Sequence, residues 1–191
     1  LEVMGPSLPL AEALIRGVLE QNPTQDLRIG YARALLDTGR TNDALQQLQR
    51  LTVEQPGFPP GWLTLGLLQL QENLLQPAEV SLKRFLEMAP AQGADNMQRA
   101  RNEALLGLSQ IAETRKDLVA AQQWLNQIDA SGERLAIVTR RASILARQGR
   151  LDEARALIRA WPATTPADVR GRLLAEVHLL RDNGQTATAY E

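Results

Sequence analysis

GWLTLGLLQLQENLLQPAEVSLKRFLEMAP, residues 61–90, carries the pattern that decides the fold. In it a small residue, Ala78, is followed at helical spacing by Leu82 and Phe85, and then by Pro90. The same set stands 34 residues earlier as Ala44, Leu48, Leu51 and Pro56, every member at the same offset. It recurs upstream as Ala11, Ile15, Val18 and Pro23 and downstream as Ala154, Ile158, Trp161 and Pro166, with Ala121, Leu125 and Ile128 fitting between. A fixed period of this length predicts stacked supersecondary units, each burying its apolar face on the next. The spacing from Ala78 to Ala121 is 43, and the surplus of nine residues falls in AQGADNMQRAR (91–101), read as a loop or a lengthened inner helix.

Each set is preceded by a second helical pattern and a link: DTGRTNDA (37–44), ENLLQPAEV (72–80), RKDLVAA (115–121) and RQGRLDEA (147–154). Gly39 and Gly149, five residues before the small Ala, suit the left-handed residue that ends a helix. Asp43, Glu79, Asp152 and Glu153 are expected in the first turn of the next helix, where carboxylates meet the positive end of the macrodipole. Proline cannot continue a helix interior, so the closing Pro ends one helix and begins the next. The unit is helix, short turn, helix, short turn.

A helix pair repeated at 34 residues resembles the tetratricopeptide repeat. Residues 59–92 match that pattern best, through Trp62, Leu65, Gly66, Ala78, Leu82, Phe85 and Pro90, with Asn73 in the turn; Gln69 departs from it, where a large residue is usual. The unit at 135–168 follows, with Val138, Ala142, Leu145, Gly149, Ala154, Ile158, Trp161 and Pro166; the units at 25–58 and 102–134 are looser. A half repeat at 8–24 and an incomplete repeat at 170–191 flank them, so the chain reads as a piece of a longer array. The resemblance implies an all-α solenoid of antiparallel helix pairs, about ten helices wound into a right-handed superhelix, as a single array over 1–191. Two helices approach closely only where side chains are small, so Gly66 with Ala78, and Ala142 with Ala154, mark the crossings within a unit.

The composition, 44% hydrophobic and 23% charged, is that of a folded chain. With a net charge of -1 there is no overall drive toward nucleic acid or an anionic membrane. Charge is nonetheless uneven: residues 1–95 hold 7 basic and 11 acidic residues, and 96–191 hold 14 and 11. Nineteen Arg against two Lys point to a GC-rich bacterial genome. The absence of cysteine excludes disulfides, thiolate metal sites and a cysteine nucleophile. No apolar run reaches the roughly 18–20 residues of a membrane span. Leu1 in place of Met leaves the compartment open, because a targeting signal would precede it.

Catalytic chemistry finds little support. His178 is the only histidine, and a lone histidine without a placed acid or serine is a groove-lining or solvated residue before it is a catalyst. Asp152 and Glu153 are helix-start residues, and no glycine-rich phosphate loop is present. Arg134, Arg140, Arg141, Arg147, Arg150, Arg155 and Arg159 crowd the fourth repeat. They fall on several faces, and aromatics make up only 4% of the chain, which leaves little to stack on bases. Neither a cofactor nor a metal is expected, and no nucleic-acid partner.

What the resemblance implies instead is a non-catalytic interaction scaffold, binding a partner peptide or amphipathic helix along the face formed by the first helices. Projecting the family's inner positions gives Ile29 and Arg33; Leu63, Leu67 and Leu70; Leu106 and Gln110; Thr139 and Ser143; Leu174 and His178. Leu63, Leu67, Leu70 and Leu74, spaced 4, 3 and 4, form a second apolar stripe on a helix that already has one. The Lys and Asn pattern with which some family members clamp a C-terminal carboxylate is missing, the matching positions being Ile29, Arg33, Leu63 and Leu67. The alternatives are a self-association module, giving a homo-oligomer, or the interaction arm of a larger enzyme whose catalytic domain lies outside these residues.

Overall fold

Small residues recurring at a fixed period become helix crossings in the computed structural model, which describes residues 13–14, 17–19, 24–90, 95–128 and 134–185. Among the described residues the chain is helix and turn, without strands. Residues 13–14 and 17–19 are helical and are followed by nine helices: α1 Gln25–Asp37, α2 Thr41–Glu54, α3 Pro59–Gln71, α4 Leu75–Met88, α5 Asp95–Thr114, α6 Leu118–Asn126, α7 Leu135–Arg147, α8 Leu151–Ala160 and α9 Pro166–Asp182. The chain divides into two compact units, Leu1–Ala104 and Leu105–Glu191, the boundary falling inside α5. The surplus residues before the third full repeat lengthen this first helix to 20 residues, starting at Asp95.

The same turn closes α1, α3, α5, α7 and α9. A left-handed residue, respectively Gly39, Asn73, Lys116, Gly149 and Gly184, has φ between 57° and 82°. The next amide donates to the carbonyl five residues back: Arg40 to Leu35, Leu74 to Gln69, Asp117 to Ala112, Arg150 to Leu145 and Gln185 to Leu180, all at 2.8–2.9 Å. This Schellman geometry satisfies the last carbonyls and reverses the chain within three residues. Lys116 holds a conformation that crowds its β-carbon. Lys116→Gly is therefore expected to raise stability by about 0.5–1 kcal/mol, strain relief outweighing glycine's greater unfolded-chain entropy. Chemical denaturation is the check, and an unchanged midpoint would count against strain at this residue.

In the first unit α1 pairs with α2 and α3 with α4, and α2 also packs on α3. Ala32, Ala44, Leu48, Leu51, Leu65 and Leu68 close its core. In the second unit α7 pairs with α8, and α9 packs on both around Val138, Ala142, Ala154, Ile158, Ala175 and Leu179. The small residue of each second helix, Ala44, Ala78, Ala121 or Ala154, is completely buried. At the start of α9 the residues Thr165 and Asp168 cap each other reciprocally, with Pro166 in the first turn.

One detail departs from the sequence reading, and a second explains a residue that breaks the repeat pattern. Glu79 lies beyond the first turn of α4, which begins at Leu75, and binds Lys83 at 2.6 Å instead of serving the helix end. Gln69, the residue that departs from the repeat pattern, is buried and accepts a 2.8 Å hydrogen bond from the buried Ser81 hydroxyl of α4. The polar side chain is thus satisfied in an apolar interior, which is the condition for its being there.

Candidate functional site

Helix α3 has two apolar faces. Leu65 and Leu68 lie in the core at 3% and 4% exposure. Leu63, Leu67 and Leu70 are only half-buried, and Leu74, at the cap of α4, is 42% exposed. The helix starts at two consecutive prolines, and Trp62 ties it to the preceding turn through a 2.9 Å hydrogen bond from its indole nitrogen to the Pro56 carbonyl. With no charged side chain between Pro59 and Gln71, the half-covered face is a continuous strip of leucine.

The other projected positions differ in character. Ile29 is buried in the core of the first unit, so it serves packing; its neighbour Arg33 is exposed. In the second unit Leu106 is half-buried and Gln110 exposed. Thr139 is half-buried, its hydroxyl donating to the Leu135 carbonyl at 2.8 Å, and Ser143 is exposed. Leu174 and His178 are exposed on α9, with an Arg181 guanidinium nitrogen 3.4 Å from His178 Nδ1. Between α5 and α7 the structure adds a residue outside the projected set: Glu113 accepts from Arg140 Nε at 2.8 Å and from an Arg147 nitrogen at 3.3 Å. The sequence signal for it is faint, two arginines seven apart facing an acid of the preceding first helix.

Most of the crowded arginines have structural employment. Arg150 binds Glu153 through both carboxylate oxygens, and Arg155 and Arg159 converge on Glu176. Arg141 donates to the Leu125 and Ile128 carbonyls at the end of α6, Arg172 to those of Arg159 and Trp161 at the end of α8, and Arg101 to that of Ala89 after α4. A cation on terminal carbonyls opposes the negative end of the helix dipole, and it ties α4, α6 and α8 each to the first helix that follows.

Glu176 is the most enclosed of these acids, with 12% of its side chain exposed. Burial alone would raise its pKa; the hydrogen bonds from Arg159 and Arg155 outweigh it and hold the carboxyl below the usual carboxylate value. A folded-state pKa below the unfolded one contributes stability above the unfolded value, and that contribution fades as the pH falls through the folded value. Glu176→Gln is expected to cost about 1–2 kcal/mol near neutral pH, as for hydrogen bonds to a charged group. In thermal melts the gap between the two proteins should close in acid; a gap that stays constant would show that the charge of Glu176 contributes nothing.

Among the described residues no cluster of three or more His, Asp or Glu side chains is placed to hold a metal ion, and no helix is long and apolar enough to cross a membrane.

The comparisons with known proteins agree on one family. Two tetratricopeptide repeat profiles match, over residues 8–66 and 128–169, together just over half of the chain. Among solved structures, YrrB, described as a tetratricopeptide repeat protein with an unusual peptide-binding site, superposes with a TM-score of 0.66 at 13% identity, covering 92% of this chain and 86% of its own. MamA superposes with a TM-score of 0.65 at 16% identity, covering 83% and 88%. For PilF of Pseudomonas aeruginosa the TM-score is 0.65 at 13% identity, covering 95% and 79%. Comparison with curated protein sequences gives no match. With the repeated turn, the buried alanines and both profiles in accord, the chain belongs to the tetratricopeptide repeat family.

Proposed function

We propose that this chain holds a protein partner, as a peptide or an amphipathic helix, on the first-helix face centred on Leu63, Leu67 and Leu70. Tetratricopeptide repeats are protein-interaction scaffolds and generally non-catalytic, so the question is which face does the holding. The observation that carries the reading is the double apolar character of α3. Its inner leucines already supply the core, and a second leucine strip is left half-covered beside it. An amphipathic helix presents anchors at i, i+3, i+4 and i+7, a spacing that suits a strip of leucines at intervals of four and three. The peptide-binding site of YrrB, a structural neighbour, supports this use of the fold.

The test is binding of a displayed library of amphipathic helical peptides. Ligands selected on the native chain should bind Leu67→Glu at least about tenfold more weakly, a loss of ~1.4 kcal/mol. Val53→Glu, a change at an 80% exposed position of α2, should bind as the native chain does. Equal affinity for Leu67→Glu, with helicity unchanged, would remove the leucine strip from consideration.

A further inference from the structure

Within the second unit α7 has a first helix on either side, α5 bonded to it through Glu113 and α9 packed against it. Helix α7 carries Arg140, Arg141 and Arg147 and no acidic residue. Arg141 is spent on the end of α6. Arg140, Ser143 and Arg147 fall at i, i+3 and i+7, which is one stripe of a helix. Both arginines of the stripe reach the same carboxylate: Arg140 Nε donates to Glu113 Oε1 at 2.8 Å and Arg147 Nη1 to Oε2 at 3.3 Å. One negative charge thus serves two positive ones, and the acid is the more enclosed, 19% exposed against 31% and 44%. What faces solvent is the surplus cation.

Glu113 takes one nitrogen from each guanidinium, so the Nη groups of Arg140, and Nε and Nη2 of Arg147, have no partner among the described residues. Thr114 and Thr139 donate their hydroxyls to the carbonyls one turn back, those of Gln110 and Leu135. The exposed Ser143 hydroxyl makes no such bond among the described residues. By the closing turns, Asp117 to Ala112 and Arg150 to Leu145, Gln110 holds on α5 the place that Ser143 holds on α7, and it is exposed as well. Two guanidinium groups, a hydroxyl and an amide therefore offer donors along adjoining helices, and the one acid among them is already engaged. A guanidinium fork matches a carboxylate through its fixed N–H groups. Glu113 is an internal instance of that recognition.

We propose that the Arg140–Ser143–Arg147 stripe is a docking surface for an acidic segment of a protein partner, whose Asp or Glu carboxylates take the donors that Glu113 leaves over. Glu113 is a positioning residue: it holds both guanidinium groups in place, so part of their rotamer freedom is given up before the partner arrives. A carboxylate fits better than a nucleic-acid backbone, because neither α5 nor α7 has an aromatic side chain on which bases could stack. Charges this exposed act on the association rate and weaken in salt. The surface is independent of the leucine strip of α3, and Leu67→Glu leaves it unchanged.

The experiment is fluorescence anisotropy of a labelled glutamate-rich peptide, and of the same peptide with glutamine at every glutamate, titrated with the purified chain in low and in high salt. Only the glutamate peptide should bind, and less tightly in high salt. Ser143→Glu sets a carboxylate between Arg140 and Arg147 without removing any bond of the fold, and it adds a favourable i,i+4 pair with Arg147. It should weaken the peptide at least about tenfold, with helicity and melting temperature not lowered. Arg170→Gln lowers the net charge by the same amount at an exposed position near the start of α9, and should bind as the native chain does. A native chain that holds neither peptide overturns the proposal. So does an equal loss in Ser143→Glu and Arg170→Gln, which would mean general charge attraction in place of a site. A single-stranded RNA that displaces the labelled peptide at lower concentration than the unlabelled peptide does also overturns it, and assigns the surface to nucleic acid.

Discussion

Alanine in place of Gly66 is expected to destabilise the protein by about 2 kcal/mol, although alanine is the better helix former by ~1 kcal/mol. A β-carbon at Gly66 would stand 2.8 Å from Cγ and Cδ2 of Leu82 and 3.1 Å from the Leu82 backbone nitrogen. Leu82 is completely buried, so its side chain has no open space to enter, and the backbone nitrogen moves only if α4 moves. Relieving the contact therefore means separating α3 from α4, and overpacking of this kind costs roughly 1–3 kcal/mol. Gly30 is the control. It lies within α1, exposed, with nothing within 4 Å of the position its β-carbon would take. Gly30→Ala should stabilise by about 0.5–1 kcal/mol, because only the helix preference remains. Urea midpoints of the two variants should move in opposite directions. Movement in the same direction would mean that the α3–α4 crossing tolerates a methyl group.

That contrast also shows what a sequence displays. Ala44, Ala78, Ala121 and Ala154 could be placed at crossings because steric exclusion acts on each residue singly and repeats with the period. Ser109, at the place on α5 that Gly66 holds on α3 and Ala142 on α7, is completely buried, yet a hydroxyl does not announce a crossing. The Gln69–Ser81 pair was illegible for a related reason: each residue alone looks like an error in an apolar helix, and the pairing exists only once α3 and α4 are side by side. Arg141, among the crowded arginines of the fourth repeat, has no partner legible in the sequence because a carbonyl acceptor has no letter there. Arg141 and Arg172 are explained by the ends of α6 and α8, which are backbone. Of the projected inner face, the leucines of α3 keep a half-open surface while Ile29 lies in the core, since projection assigns a direction and burial depends on the neighbour.

Glu54→Ala is expected to cost about 2–4 kcal/mol, the largest effect of any single surface acid in the first unit. The reason is the partner left behind. Arg28 has 5% of its side chain exposed and donates to Glu54 at 2.7 Å and to the Gln47 amide oxygen at 3.3 Å. Removing one member of an enclosed ion pair strands the other charge, which costs roughly 3–5 kcal/mol where both are buried. The value here is lower because Glu54 keeps 40% of its side chain in solvent and Gln47 still accepts one bond. Arg50 approaches the same carboxylate at 3.3 Å with 67% of its side chain exposed, so Arg50→Ala should cost less than about 0.5 kcal/mol and that little should vanish in salt. Arg28→Met removes the charge while keeping an apolar stem of similar length, and should cost far less than Glu54→Ala. If stranding is the cause, the double variant Arg28→Met with Glu54→Ala recovers most of the stability lost by Glu54→Ala, and denaturation midpoints in high salt give the same ranking. If the two losses simply add, Arg28 acts through its packing and its charge is indifferent to Glu54.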